Sequence, residues 1–141
     1  MIYADASFLV SLYSPDANSG AAARAMRTAR QPVVVTTLGE LEVVNAFGLR
    51  VYHKEASAKE AQVSLQNFRS DLLEGVLQLR PMTEQIFARA RYLSEQTTPR
   101  LGTGAADLLH IAAALEMGAQ FLYSFDKRQR VLAEFVRLKL N

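Results

Sequence analysis

The chain contains five aspartates, and two of them stand where an α/β enzyme places its chemistry. Asp5 follows the apolar opening Met1-Ile2-Tyr3-Ala4, and Asp126 follows the apolar stretch from Phe121 to Phe125. Both trail segments that read as buried strands, and in open parallel sheets ligands bind beyond the carboxyl ends of the strands. Asp107 falls in the first turn of an alanine-rich helix preceded by Gly102 and Gly104, where a carboxylate interrupts an otherwise apolar, small-residue face. Glu42 lies in a helix directly after the run Val33-Val34-Val35, so it too is near that edge of the sheet. Glu40 is two residues away and cannot share a helical face with Glu42. One of the two is expected to face inward, with Glu40 the substitute if the helix phase turns Glu42 outward.

Taken singly, each acid has a plain structural use. Asp5 and Asp126 suit helix N-caps, Asp107 complements a helix dipole, and Glu42 suits a solvated surface. Gathered at one edge, however, four carboxylates repel one another and require either protons or a cation. Oxygen ligands suit Mg²⁺, with Mn²⁺ as a substitute. The chain has no cysteine and only two histidines, so a zinc site is not expected. A hard divalent ion among carboxylates supports phosphoryl chemistry: it orients and activates a water and stabilises the leaving oxygen, with no need of a protein nucleophile.

Supporting positions surround these acids. Ser7 and Ser124 each lie two residues from an aspartate, where a hydroxyl orients a carboxylate or a water, or simply closes a turn. Asn45, three residues after Glu42, is placed to orient that carboxylate or to bond buried backbone. His110, three residues after Asp107, shares its helical face and is read either as a contact to substrate or water, or as a packing residue. Lys127, Arg128 and Arg130 follow Asp126 and are candidate contacts to RNA phosphates, or else a solvated helix face; Arg24 and Arg27 share a stripe with the same ambiguity. Phe8, Tyr13 and Phe47 read as core or interface.

These residues need a scaffold. A length of 141 residues suits one domain spanning 1–141. Half the residues are hydrophobic, which marks a globular chain. No apolar run approaches a membrane span, and the N-terminus lacks the positive region of a signal peptide. With no cysteine, a cytoplasmic location is expected. The net charge is +2, but 12 of the 16 basic residues are arginine, whose planar fork suits phosphate. The pattern predicts strands at 1–6, 33–35, 76–79 and 121–124, with a possible fifth at 136–140. Helices are predicted at 7–13, 19–30, from about 37, 56–74, 83–96, 105–117 and 127–135. Ser19 is expected to cap the second helix, Glu40 to complete a capping box with Thr36 or Thr37, and residues 97–104 to form a loop around Pro99. Strands alternating with helices imply a three-layer α/β/α sandwich with a short, mainly parallel sheet of four to five strands.

Three blocks, MIYADASFLVSLY, LEVVNAF and DLLHIAAALEMGAQFLYSFDKRQ, occur in an order and spacing that resembles the PIN-domain family, and within it the VapC-type ribonuclease toxins of toxin–antitoxin pairs. The likeness runs nearly end to end. By this resemblance Asp5 matches the aspartate of the first strand and Glu42 the helix glutamate followed by Asn45 and Ala46. Asp107 matches the aspartate opening the alanine-rich helix, and Asp126 the one after the fourth strand. Ser124 occupies the usual Ser/Thr position and Ser7 the hydroxyl or amide position. The resemblance implies that these residues surround Mg²⁺ or Mn²⁺ and that the protein hydrolyses RNA, forms a homodimer and is blocked by a small cognate antitoxin. Ala6 departs from the family, which often has Thr there; the change removes a hydroxyl but no carboxylate, so an active enzyme is expected.

Two other classes compete. Asp5 after the first strand suits an aspartyl-nucleophile phosphatase or phosphotransferase, although such enzymes commonly need a second acid two residues on, where this chain has Ser7. A non-catalytic RNA-binding or protein-interaction module with the same fold is the other, and the complete acid set argues against it.

Overall fold

Short runs of β-branched, aromatic and aliphatic residues form strands here because both faces of the sheet are covered, so each strand is apolar throughout. The computed structural model describes residues 1–141. Its strands are β1 (Ile2–Ala4), β2 (Val33–Thr36), β3 (Leu77–Arg80), β4 (Phe121–Tyr123) and β5 (Lys139–Leu140). All pairings are parallel, in the order β3-β2-β1-β4-β5. The helices are α1 (Ala6–Tyr13), α2 (Ser19–Thr28), α3 (Thr37–Tyr52), α4 (Ala58–Leu73), α5 (Glu84–Leu101), α6 (Ala105–Glu116) and α7 (Lys127–Phe135).

Strand alternation divides the core in two. Ile2, Ala4, Val33 and Val35 pack with Phe8, Val43, Phe47 and Phe68 beneath α1 to α4. Tyr3 and Leu122 face the other way, into the alanines of α6 and into Leu93 and Leu132 of α5 and α7. The result is the α/β/α sandwich expected from the sequence. None of the helices is long and apolar enough to cross a membrane.

Topology fixes where a site can lie. The chain starts in the middle of the sheet, builds outward through β2 and β3, then returns to the opposite side of β1 for β4. The order therefore reverses between β1 and β4, and a crevice opens beyond their carboxyl ends. Ala4 pairs with Tyr123, so the residues that follow, Asp5 and Ser124, emerge side by side at that crevice.

Local expectations hold except at a few ends. Ser19 is the first residue of α2 and not its cap; Asn18 holds the cap position, while the Ser19 hydroxyl accepts from the Asp16 N–H at 2.9 Å. Thr36 caps α3 by accepting from Gly39 N–H, which puts glycine and not Glu40 at the capping-box position. Gly39 is needed there, since a Cβ would lie 2.9 Å from the Val35 side chain. The capping box falls instead on α4, between Ser57 and Glu60. The predicted loop at 97–104 is helical as far as Leu101. Pro99 sits in the last turn, where it withholds one N–H from the ladder only two residues before the helix ends, and the helix stops at Gly102, which takes a left-handed φ of 62°.

Candidate functional site

Each acid reaches the crevice from a helix at its rim. Asp5 caps α1 and accepts from Phe8 N–H at 2.9 Å. Asp126 caps α7 and accepts from Arg128 N–H at 2.8 Å. Asp107 lies in the first turn of α6, against Gly104, where a Cβ would come within 3.2 Å of its carboxylate. Three carboxylates thus sit at helix N-termini, where backbone N–H groups and the helix dipole favour negative charge. The capping and dipole roles read from the sequence are real, and they position the acids rather than replace a function. Glu42 projects from one turn inside α3 and is half-buried.

Asp5, Glu42, Asp107 and Asp126 line one cavity of about 670 Å³, together with Ser7, Asn45, Arg128 and Gln129; a fifth acid not singled out in the sequence, Asp16, also lines it but is paired with Arg50 at 3.0 Å. Glu40 is not among the residues lining it, so Glu42 is the inward member of the pair. No histidine lines it either.

The serines form a mesh around Asp5. Ser7 Oγ lies 2.8 and 2.9 Å from the two Asp5 oxygens and donates to that carboxylate; it accepts from the N–H groups of Phe125 and Asp126 at 2.9 and 3.1 Å. Ser124 Oγ donates to Asp5 at 2.7 Å and accepts from Asp126 N–H at 3.0 Å. One hydroxyl therefore ties the β1–α1 connection to the β4–α7 connection. Asp5 is completely buried. Burial pushes its pKa above the usual carboxylate range, although the Phe8 N–H, Ser124, the nearby His110 and Ser7 all pull it down.

His110 is not in the cavity. It is 1% exposed and stands behind Glu42, with Nε2 2.6 Å from the Glu42 carboxylate. Its Nδ1 is 2.8 Å from the Tyr3 hydroxyl, which is in turn 3.0 Å from Thr36 Oγ1. One proton arrangement satisfies the whole chain: Gly39 N–H donates to Thr36, Thr36 to Tyr3, Tyr3 to Nδ1, and Nε2–H to Glu42. Burial holds the Tyr3 phenol far above its ordinary pKa, so it stays neutral. Tyr3 was missed in the sequence because it sits among core residues, its only signal a polar group inside a strand; Thr36 was read only as a helix cap, which it is, and not as a member of this chain. Asn45 does not orient Glu42, whose partner is His110, and it is exposed rather than bonded within the core.

The basic residues divide. Arg128 leans over the acid cavity with Nε 3.9 Å from both Asp107 and Asp126, a loose bridge by an exposed side chain. Lys127 and Arg130 turn to a neighbouring cavity that also contains Arg24. Gln129, not singled out in the sequence, lines the acid cavity and has a buried Oε1 with no hydrogen-bond partner.

The donor set is that of a hard-ion site in chemistry, if not in spacing. It consists of oxygen ligands with no thiolate or imidazole, the chemistry a hard ion takes. No three acidic or histidine side chains are grouped tightly enough to chelate one ion directly. A cation among them would have to keep several waters and bind directly through one or two carboxylates, as Mg²⁺ commonly does.

A family model described as PIN domain matches residues 2–135. The chain belongs to the PIN domain family. A search of curated proteins gave no match. Among solved structures, this PIN domain resembles the VapC20 toxin of Mycobacterium tuberculosis, described as cleaving the sarcin–ricin loop. The TM-score is 0.73 and the identity 21%, with 99% of each chain covered. It also resembles a toxin–antitoxin complex from Klebsiella pneumoniae, with TM-score 0.66 and 16% identity over 92% of this chain and 89% of that one. A third likeness is to VapBC2 of Rickettsia felis bound to a promoter DNA fragment, with TM-score 0.65 and 19% identity over 100% and 98% of the two chains. These likenesses establish the fold.

Proposed function

We propose that this PIN domain is a Mg²⁺- or Mn²⁺-dependent endoribonuclease acting as the toxin of a toxin–antitoxin pair in the cytoplasm. The observation that carries the reading is the convergence of Asp5, Glu42, Asp107 and Asp126, drawn from four separate stretches of sequence, on one cavity. Membership of the PIN family and the toxin described among its structural neighbours support the same reading.

In this reading one or two of the four carboxylates would hold the cation directly and the others would act through its waters. When bound, it supplies charge compensation at the scissile phosphate and activates a water for attack. The chain's own groups prepare that event. Ser7 and Ser124 keep Asp5 fixed, His110 keeps Glu42 turned to the cavity, and the N-termini of α1, α6 and α7 keep the carboxylates aimed. Arg128, loosely paired, is free to swing from Asp107 and Asp126 to an incoming phosphate.

An aspartyl phosphoenzyme fits less well. Such an enzyme commonly needs a free acid two residues after the nucleophile, and here that position is Ser7, whose hydroxyl is spent on Asp5 and on the N–H groups of Phe125 and Asp126. We assign the partners as RNA, a second copy of the chain and a small antitoxin. The apolar stripe Leu41, Leu49 and Tyr52, left exposed along α3, favours a protein partner. The test is cleavage of total RNA by the parent and by Asp107→Asn, with Mn²⁺ or with EDTA. Discrete products from the parent alone, lost in EDTA, are expected; cleavage that survives both changes rejects the proposal.

A further inference from the structure

Beside the acid cavity lies a second, also of about 670 Å³, that the proposed chemistry does not use. It is lined by Arg24 from α2, Lys127 and Arg130 from α7, Tyr123 at the end of β4 and Phe125 from the connection between β4 and α7. No Asp or Glu side chain lines it. None of its three cations has a carboxylate within ion-pair distance; of the 16 basic residues only Arg50, Arg89, Arg91 and Arg128 are so paired, and what sets these three apart is that they gather around one concavity. In a chain whose net charge is only +2, three unpaired cations around one concavity are an uneven distribution. They repel one another as the carboxylates next door do, and an anion relieves the repulsion.

Two features say which anion. First, Asn18 and Phe125 line both cavities, so the two are neighbours that share those side chains as a common border. A ligand continuous between them has one phosphate at the carboxylates and further phosphates among the cations. Second, the site offers flat aromatic surface as well as charge. Phe125 is half-buried and stacks on Phe8 with centroids 5.7 Å apart and planes at 25°, which holds its ring at the junction. Aromatic rings interleaved with cations suit unpaired bases on a phosphodiester backbone. Arg130 is also placed in advance, with Nη1 donating to the Ser124 carbonyl at 2.8 Å and to Asn141 Oδ1 at 3.1 Å.

We infer that this second cavity binds the single-stranded RNA flanking the scissile bond, with Arg24, Lys127 and Arg130 on its phosphates and Phe125 marking the passage from the catalytic cavity. The inference rests on the nuclease reading and adds to it where the rest of the substrate strand lies.

The test compares parent, Arg24→Gln, Lys127→Gln and the double variant. Both side chains are exposed, so the fold is preserved. Arg91→Gln, on α5 and paired with Glu84, is the control for net charge alone. Binding of a labelled 2′-O-methyl dodecanucleotide is followed by anisotropy in EDTA at several salt concentrations, beside a dinucleotide short enough to occupy the catalytic cavity alone. Each groove variant is expected to weaken dodecanucleotide binding several-fold, to reduce the salt slope by about 0.7, and to leave the dinucleotide unaffected. In Mn²⁺-supported cleavage of the long substrate, KM is expected to rise while kcat stays unchanged. Groove variants that behave like Arg91→Gln overturn the inference, and so does a loss seen only with a polyglutamate probe, which would assign the groove to an acidic protein partner. The two proposals fail separately: cleavage indifferent to the groove leaves the nuclease standing, and groove-dependent RNA binding without cleavage leaves the groove standing.

Discussion

The two cavities flank the same β4–α7 connection yet hold their charges in opposite ways. In the acid cavity Asp5 is fixed by two hydroxyls and a backbone N–H, Asp126 by the N-terminus of α7, and Glu42 by a buried histidine. In the basic cavity Arg24 and Lys127 stand on exposed, unpaired side chains, and only Arg130 is tethered. The difference matches what each would hold. A small, hard ion needs ligands that do not move, because its geometry tolerates little error. A flexible polyanion is held by summed charge, and mobile cations follow it at little cost. Rigid placement therefore belongs with chemistry and loose placement with binding, and a substitution on either side should affect one without the other.

The largest expected effect is on chemistry. Asp107→Asn keeps the shape of the cavity and removes one charge at the start of α6. Single-turnover cleavage with Mn²⁺ should slow by about 10²-fold or more, on the scale of losing a group that acts on the transition state. Binding of the dodecanucleotide in EDTA should not weaken. If binding falls as far as cleavage, the division of labour between the cavities is wrong.

Next comes the chain behind Glu42. His110→Phe removes a partner from Glu42 and from Tyr3, leaving polar groups unsatisfied at a fully buried position. A loss of about 2–4 kcal/mol in urea unfolding is expected, since each orphaned buried group costs about 1–3 kcal/mol. Tyr3→Phe should cost less, about 1 kcal/mol, and the double variant less than the sum of the two, because both act on one network. Mn²⁺ affinity, read by electron paramagnetic resonance, should weaken in His110→Phe even after correction for unfolded protein. Unchanged affinity would make His110 a packing residue only.

How much of this was legible follows from the kind of signal each part leaves. The α/β alternation and the strand-end acids were readable because Val33 to Val35 and the segments before Asp5 and Asp126 carry local patterns. Local pattern also misled at Pro99, where a helix-breaking residue is tolerated in a last turn that Gly102 then closes. Strand order has no local signature, so the crevice between β1 and β4 was not predictable, and with it went the pairing of Ser7 with Phe125 and Asp126 across the sheet. The basic cavity was illegible for the same reason. Lys127 and Arg130 were singled out for lying near Asp126 and Arg24 for sharing a stripe with Arg27, but only the fold brings Arg24 to the same cavity as the other two.

A smaller effect is expected at the seam between the cavities. Ser7→Ala leaves the Phe125 N–H without its acceptor, leaves the Asp126 N–H with Ser124 Oγ alone, and removes a donor from Asp5. Stability should fall by about 1–2 kcal/mol. Ser7→Thr should restore most of it, because the hydroxyl is what matters. Since Phe125 borders both cavities, dodecanucleotide binding and cleavage should both decline in Ser7→Ala, unlike in any variant confined to one side.

The smallest effect is a pH dependence that isolates the cost of confining charge in the acid cavity. Burial raises the pKa of Asp5 above its value in the unfolded chain, so the folded state favours the protonated form. Its contribution to stability is therefore fully present below the unfolded pKa and is lost as pH rises through the folded one. Asp16 has the opposite sign: desolvation raises its pKa, but Ser11, the Asn18 N–H and Arg50 outweigh that and bring it down, so its contribution is lost as pH falls. The quantity to measure is thus the difference in Tm between parent and Asp5→Asn in EDTA, because Asp16 and the rest of the molecule cancel from it. The parent should lose ground relative to Asp5→Asn as pH rises from the acid end of the carboxylate range towards neutrality. Saturating Mn²⁺ should reverse that trend, because the ion favours the charged form, and adding RNA in EDTA should leave it unchanged. A parent that gains on Asp5→Asn with rising pH in EDTA would mean that the serine mesh, and not a cation, is what balances the buried carboxylate.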